Sequence, residues 1–227
     1  MCFCSNGSST PPRLPLLSKV LTAANRQSSD AELVMAALSY RGYWTSSGRP
    51  SQRGIEKDAQ AFVQWAETNF PSCDIVLWGQ SIGAGIAAHA CATSLGRDES
   101  PKIVALILET PFVSIRRMLA ALYPERWVPY KYLWPFLRNW WDTEQALALI
   151  AAQARRPEIL LLAAAQDEVV PATEVEDIES ICKRQGLLYT RFDVPRALHN
   201  EASSRASGVQ ALANFLHKHS GYSSVIS

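Results

Sequence analysis

Residues 77–85 read LWGQSIGAG, and the serine in this stretch decides how the chain can fold. Ser81 stands between Gly79 and Gly83, at the point where an apolar run ends. Glycines on either side of a serine at this spacing predict a sharp turn from a strand into a helix, because side chains at the glycine positions would collide. Such a turn leaves the serine hydroxyl exposed for chemistry. The same spacing also occurs in strand-to-helix turns that have no chemical role.

Length and composition indicate a globular protein without a nucleic-acid partner. The chain has 227 residues, of which 48% are hydrophobic and 19% charged, and its formal net charge is +1. This length is enough for one domain, 1–227, with a substantial core. Binding to phosphate backbones usually brings a basic excess, which this chain lacks. A glycine-rich loop with a lysine, as needed to hold a nucleotide, is also missing, so we expect a function outside these two classes.

The cysteines and the apolar runs bear on cofactors and on membrane insertion. The five cysteines are odd in number and mostly far apart, so we expect reduced, mostly buried thiols rather than disulfides or a metal site. We expect no cofactor. Cys2 and Cys4 could be acylated, but cysteines near a terminus more often serve as small buried hydrophobes. We find no secretory signal and no run of about 18 apolar residues, so we expect no membrane-spanning segment. The sequence leaves the compartment unknown.

Apolar runs and helical patterns alternate along the chain, which indicates the fold class. Strands alternating with helices predict an α/β protein with a mainly parallel sheet and helices on both faces. Ligands of such sheets bind at the carboxyl edge of the strands, so reactive residues should directly follow strands. The predicted strands are 33–38, 74–78, 102–108, 158–164 and 187–192. The helical patterns cover 55–66, 82–95, 172–184 and 201–218, and a further helix is expected to start at the WDT stretch, 141–143.

A serine nucleophile needs a base, and histidine is the usual one. Of the four histidines, His89 lies eight residues into the helix after Ser81 and is therefore about 12 Å away at a rise of about 1.5 Å per residue. His217 and His219 end the last helix, where cations are favoured and easily solvated. His199 remains, in a loop between a strand and a helix at the edge where Ser81 is expected. We predict that His199 is the base.

The acid that orients the histidine should follow another strand. Asp167 comes directly after the apolar run that ends near residue 164. It could equally be an aspartate that accepts backbone N–H groups before a helix. Glu168 and Asp193 are competing candidates for the same role. The order serine, aspartate, histidine along the chain is nevertheless that of one hydrolase architecture, which favours Asp167.

Four segments together resemble the α/β-hydrolase superfamily, and within it the bud-emergence-type (BEM-like) hydrolases related to membrane-associated abhydrolase-domain lipases and thioesterases. The resemblance covers most of the chain, and the first and third segments are more distinctive than the serine turn alone. They are SYRGYWTSSGRPSQRGIEKDA at 39–59, WGQSIGAG at 78–85, AAAQDEVVP at 163–171 and LHNE at 198–201.

The resemblance implies a catalytic triad of Ser81, Asp167 and His199 that acts on acyl esters or thioesters. It also implies an oxyanion hole, with one N–H from Ile82 and a second from a loop in which Asn6 is kept. In this family the second donor lies after a central third strand. The resemblance therefore implies that the first two strands and nearly all of the third are missing here, which leaves backbone groups unpaired within the sheet and weakens the case for activity.

An aromatic-rich segment is expected to form a small cap over the site. Residues 123–141 contain 8 of the 21 aromatic residues, and the cap insertion would span about 112–142. We predict that Trp127, Tyr130 and Trp134 contact the acyl chain of the substrate. Packing of these rings against the rest of the domain explains the composition equally well. Nearby basic residues would suit anionic head groups or a membrane surface.

The residues as a whole favour a serine hydrolase of carboxylic esters or acyl thioesters, with lipid-like substrates and an acyl-enzyme intermediate. The expected partner is a small-molecule or lipid acyl substrate, with peripheral membrane contact as a further hypothesis. The alternative is a catalytically impaired remnant that acts as a binding protein. The sequence indicates neither the preferred acyl chain nor the oligomeric state.

Overall fold

A computed structural model describes residues 2–3, 11–27, 33–97, 102–122 and 140–220. Its centre is a six-stranded sheet in which every neighbouring pair of strands is parallel. The strand order is β2-β1-β3-β4-β5-β6. The strands are β1 (Cys2–Phe3), β2 (Ala37–Leu38), β3 (Ile75–Gln80), β4 (Ile103–Glu109), β5 (Glu158–Ala164) and β6 (Tyr189–Val194).

Helices cover both faces of this sheet, as the sequence predicts. The helices are α1 (Leu14–Asn25), α2 (Gln52–Asn69), α3 (Ile82–Leu95), α4 (Ile115–Leu122), α5 (Thr143–Ala151), α6 (Ala172–Arg184) and α7 (Ala206–Lys218). Helices α1 and α7 pack on one face with one core cluster, and α2, α3, α5 and α6 pack on the other face with a second. The α/β class expected from the sequence, with a parallel sheet covered by helices on both faces, is therefore confirmed.

The core strands form where the sequence has continuous apolar runs. In β4 and β5 nearly every side chain is buried, because helices cover the sheet on both sides and no face needs to be polar. Neighbouring side chains of β3 alternate between the two clusters, with Leu77 on one face and Trp78 on the other. Two charged residues are exceptions: Glu158, which begins β5 and is buried, and Glu109, which ends β4 and is fully buried. Glu109 lies at the carboxyl edge of the sheet.

Two predicted elements differ most from the structure. Of the strand expected over 33–38, the described sheet contains Ala37–Leu38, which pair with the described residues of β1, Cys2–Phe3. The helix expected from residue 201 begins at Ala206. The residues before it form turns, in which the N–H of Ser204 donates to Glu201 and that of Ser203 to the side chain of Glu109.

Helices α1 and α4 were not predicted. Helix α1 has an apolar face of Leu17, Val20 and Ala24 that packs against α7, and this spacing is a readable signal of an amphipathic helix. Helix α4 lies within the predicted cap insertion. Residues 123–139 of that insertion lie outside the described residues. Among the described residues, the place of the central strand is held by Cys2–Phe3, which pairs with Ala37–Leu38 on one side and Trp78–Gly79 on the other.

Candidate active site

Ser81 lies at a strained turn between β3 and α3. Its backbone has φ 54° and ψ −122°, in the left-handed region that side chains rarely adopt. The turn is held by the main chain of the neighbouring strand, since the N–H of Ser81 donates to the carbonyl of Glu109 at 2.8 Å. The side chain is partly exposed at the carboxyl edge of the sheet. Strain of this kind is concentrated at functional sites.

Gly79 makes the turn sterically possible. A Cβ atom at this position would lie 1.9 Å from the carbonyl oxygen of Gly83, far inside contact distance. The first turn of α3 can therefore fold back against β3 only if residue 79 has no side chain. This close approach explains why residue 79 is a glycine, as the sequence predicts.

Replacing Gly79 with alanine is expected to destabilise the protein by more than about 3 kcal/mol, because the methyl group must displace main chain rather than a flexible side chain. Urea unfolding followed by circular dichroism would measure this loss. Gly186→Ala provides the control, since a Cβ there meets nothing within 4 Å, although its φ of 64° adds some strain. Equal stability of the two variants would contradict the steric argument.

Asp167 and His199 lie in direct contact. Asp167 follows β5, His199 follows β6, and the Nδ1 atom of His199 is 2.9 Å from Oδ2 and 3.0 Å from Oδ1 of Asp167. Both side chains are buried, with 8% and 6% of their surface exposed. Because an ionised carboxylate only accepts hydrogen bonds, a neutral imidazole in this contact carries its proton on Nδ1 and keeps its lone pair on Nε2. The imidazole can therefore act as a base through Nε2.

Asp167 also fulfils the other role that the sequence left open. Its Oδ1 atom accepts the N–H groups of Val169 at 2.9 Å and Val170 at 2.7 Å. These bonds orient the carboxylate, so that it accepts backbone N–H groups and contacts His199 at the same time. The two interpretations of Asp167 are thus compatible.

The competing acids have other partners. Glu168 accepts the backbone N–H of His199 at 2.9 Å, so it holds the main chain of the histidine rather than its ring. This contact was missed, because Glu168 appeared only as a rival for the acid. Asp193 is largely exposed and pairs with Arg191. Neither carboxylate contacts the imidazole.

Ser81 and His199 are connected through the residue before the serine. The side-chain Nε2 of Gln80 donates to the carbonyl oxygen of His199 at 3.4 Å. Among the described residues, the hydroxyl of Ser81 has no hydrogen-bond partner. The structure thus joins Asp167 to His199 directly, and His199 to the serine turn through Gln80.

The remaining predicted site residues fall into two groups. Ile82 is the first residue of α3, and an N–H at this position has no partner within its own helix. It can therefore donate to an anion beside Ser81. Asn6, the predicted second donor, and the predicted acyl-chain contacts Trp127, Tyr130 and Trp134 lie outside the described residues.

The loop after β2 is anchored to α2 beside the predicted cap. Arg41 binds the carboxylate of Asp58 through its guanidinium, at 2.7 Å, and through its backbone N–H. These bonds hold the pKa of Asp58 below its usual value, against the opposing and larger single effect of burial. At the start of α2, Gln52 accepts the backbone N–H of Trp140 at 2.5 Å. The chain that leaves residues 123–139 is thereby tied to α2.

The other histidines lie outside the site. His89 packs edge-on against the ring of Trp141, and burial lowers its pKa. His217 is exposed, as expected. The expectation that His219 is solvated is wrong, because it is buried between Phe215 and the carboxylate of Glu158.

The buried position of His219 predicts an acid-sensitive fold. Burial lowers the pKa of His219, outweighing the opposite effect of Glu158, while Lys218 lowers it further. The unfolded chain then binds a proton first as pH falls below about 6.5, so the stability present above that pH is lost. We expect the melting temperature of His219→Gln to fall less between about pH 7.5 and 5.5 than that of the wild type. His217→Gln should follow the wild type, and parallel curves for all three proteins would contradict the prediction.

Neither a membrane-crossing helix nor a metal-binding cluster is present among the described residues. In this part of the chain no helix is long and apolar enough to cross a bilayer. No group of three or more histidine, cysteine, aspartate or glutamate side chains there could hold a metal ion. The cysteines differ in setting: Cys73 is exposed, whereas Cys91 and Cys182 are buried, and burial raises the pKa of Cys182 to about 12.

Curated relatives share the sequence over long segments, although no protein-family profile matches the chain. Protein bem46 of Schizosaccharomyces pombe is 28% identical over 217 residues, which cover 94% of this chain and 65% of that protein. The alpha/beta hydrolase domain-containing protein WAV2 of Arabidopsis thaliana is 33% identical over 172 residues, covering 71% of this chain and 53% of WAV2. The lysophosphatidylserine lipase ABHD12 of Danio rerio is 33% identical over 142 residues, covering 60% of this chain and 36% of ABHD12.

Solved structures share the fold. An alpha-beta hydrolase from Vibrio vulnificus superposes with a TM-score of 0.74 at 21% identity, covering 95% of this chain and 72% of the other.

The chain spans 65% of the length of bem46 and 53% of the length of WAV2. Since these relatives align with most of its residues and the sheet superposes as well, the chain belongs to the α/β-hydrolase superfamily, among its bem46-like, abhydrolase-domain members.

Proposed function

We propose that this chain is a serine hydrolase that cleaves carboxylic esters or acyl thioesters through an acyl-enzyme. The observation that carries the proposal is the pairing of His199 with Asp167 at 2.9 Å, in the loop whose main chain contacts the residue before Ser81. A hydrolase function is also supported by the relatives, one of which is named a lysophosphatidylserine lipase. The roles of the three side chains follow from their chemistry.

In the first half-reaction, Nε2 of His199 takes the hydroxyl proton of Ser81 while the serine oxygen attacks the acyl carbonyl carbon. The carbonyl π electrons move to its oxygen, and the N–H of Ile82 stabilises the resulting oxyanion. When the oxyanion collapses, the bond to the alcohol or thiol breaks, and the imidazolium gives that leaving group its proton. Asp167 stabilises the imidazolium and does not itself become protonated.

In the second half-reaction, water replaces the serine. His199 takes a proton from water, the resulting hydroxide attacks the acyl-enzyme, and the bond to Ser81 breaks with return of the proton to its oxygen. The acid product leaves and the free serine is restored. No step requires a metal ion or another cofactor.

Lipid-like acyl substrates are favoured within this proposal. The aromatic-rich stretch 123–141 would provide an apolar surface for an acyl chain, and its basic residues would suit an anionic head group or contact with a membrane surface. The name of the ABHD12 relative describes a lipid of this kind. We propose Trp127, Tyr130 and Trp134 as contacts of the acyl chain.

The proposal is tested by measuring turnover of p-nitrophenyl butyrate, p-nitrophenyl laurate and butyryl-coenzyme A. We expect hydrolysis of at least one of these substrates, a faster reaction with the longer ester, and complete inhibition by one equivalent of a fluorophosphonate. A folded sample that hydrolyses none of them and does not react with the fluorophosphonate would contradict the proposal and favour a binding protein.

A further inference from the structure

A buried polar network lies directly beneath the serine turn. Its centre is the carboxylate of Glu109, which is fully buried at the end of β4. Oε1 accepts from Gln80 Nε2 at 3.1 Å and from the backbone N–H of Ser203 at 3.1 Å. Oε2 accepts from Trp78 Nε1 at 3.0 Å and lies 3.5 Å from the guanidinium of Arg13. Three hydrogen-bond donors and one guanidinium thus surround this carboxylate, so its buried charge is compensated.

The network also fixes the orientation of the Gln80 side chain. Arg13 donates to the amide oxygen of Gln80, so the amide nitrogen must point the other way. That nitrogen donates to Glu109 and to the carbonyl oxygen of His199 at 3.4 Å. Gln80 itself is buried, with 3% of its surface exposed. Its amide therefore has one orientation that satisfies all three neighbours.

Both ends of the proposed catalytic pair are held by this network. The carbonyl of Glu109 accepts the N–H of Ser81 at 2.8 Å, so the same residue anchors the serine turn and, through its side chain, the turn that contains Ser203. Gln80, next to Ser81 in the chain, binds the main chain of His199. The separation of serine and histidine is consequently set by bonds that neither side chain makes itself.

We propose that Gln80, oriented by Arg13 and Glu109, is a positioning residue that holds the main chain of His199 in register with Ser81. This inference rests on the proposed function and deepens it. The alternative to a positioning role is that the network only stabilises this edge of the sheet. A purely stabilising network would affect unfolding but not the rate at which Ser81 reacts.

Gln80→Met tests the proposal, because methionine is similar to glutamine in length and volume but lacks the amide that makes the three hydrogen bonds. Inactivation by a fluorophosphonate is followed at increasing probe concentrations, at a temperature where the variant is folded. We expect the maximal rate constant to fall by about 10²-fold, the effect of a small displacement of reacting groups, while the half-saturating probe concentration changes by less than about twofold.

The matched control is Gln60→Met. Gln60 also joins distant segments, since its Nε2 donates to the carbonyl of Ala90 at 3.3 Å and its Oε1 accepts from the hydroxyl of Ser94 at 3.2 Å. Gln60 is a residue of α2 whose side chain bonds to α3, and it lies outside the network. Its loss should lower the melting temperature and leave both inactivation parameters at the wild-type values.

A second variant keeps the test decisive if Gln80→Met does not fold. Gln80→Asn keeps a polar amide in the network, but its side chain is one methylene shorter, so the amide nitrogen cannot reach the carbonyl of His199, which lies 3.4 Å from Gln80 Nε2. We expect the same selective loss in the maximal rate constant. Hydrogen exchange of residues 198–205 should also be faster in both variants than in Gln60→Met.

The outcomes separate the two proposals. Suppose that the wild type labels normally and that the folded Gln80 variants have an unchanged maximal rate constant. That result would overturn the positioning role alone, whatever the stability of the variants. A wild-type protein that is folded but does not react with the probe would contradict the proposed function, and the positioning role would fail with it.

Discussion

Replacing Ser81 with alanine is expected to lower kcat for p-nitrophenyl butyrate by about 10⁶-fold, the scale seen when a catalytic serine is removed. The reason is that the acyl-enzyme cannot form, so any residual rate comes from water attacking the bound ester. The fold should be preserved, because the backbone strain at this turn is supported by the bond from residue 81 N–H to Glu109, which alanine can also make. Turnover and melting temperature are the measurements.

Ser180→Ala provides the control for this experiment. The hydroxyl of Ser180 is exposed on α6 and bonds only to the main chain of its own helix, at Glu176. Its removal should leave turnover within about twofold of the wild type. If both Ser81→Ala and Ser180→Ala kept the turnover of the wild type, another group would be the nucleophile.

Asp167→Asn is expected to lower kcat by about 10⁴-fold with little change in the fold. The oxygen of the new amide stays where Oδ1 is, because Val169 and Val170 both donate to that atom. The amide nitrogen must then take the place of Oδ2, 2.9 Å from Nδ1 of His199. Since that nitrogen is a donor at the shorter of the two contacts with Nδ1, it favours the tautomer with the proton on Nε2, and that tautomer cannot accept the proton of the serine.

The matched control is Asp193→Asn, which changes the other candidate aspartate near the same edge. Asp193 is largely exposed and pairs with Arg191, without any contact to the imidazole. Turnover should therefore remain within about twofold of the wild type. A loss for Asp193→Asn that equals the loss for Asp167→Asn would contradict the assignment of the acid.

Features that depend on neighbouring residues were readable from the sequence. The serine turn, the buried strands and the alternation with helices all follow from local apolar patterns and glycine spacing, and the structure contains them. The pairing of Asp167 with His199 was also predicted, because parallel strands bring the residues after their carboxyl ends to one edge. The start of α7 was placed too early, since the turns before it depend on the distant Glu109.

Features that depend on distant side chains were not readable. The bonds of the buried network join Gln80 to Arg13 and Glu109, and Glu109 to Ser203, across tens of residues of sequence. One signal was present, because a glutamate that ends an otherwise apolar strand is rarely buried without partners. The sequence could not identify those partners. It also gave no sign that Glu168 holds the backbone of His199 rather than its ring.

Mapping of a covalent adduct tests the central claim most directly. The folded protein is treated with a fluorophosphonate, digested, and analysed by tandem mass spectrometry. We expect one phosphonyl group per chain, on Ser81, with labelling that disappears in Ser81→Ala and slows strongly in Asp167→Asn. An adduct on a different residue, or a folded protein that carries none, would contradict the assignment of Ser81 as the nucleophile.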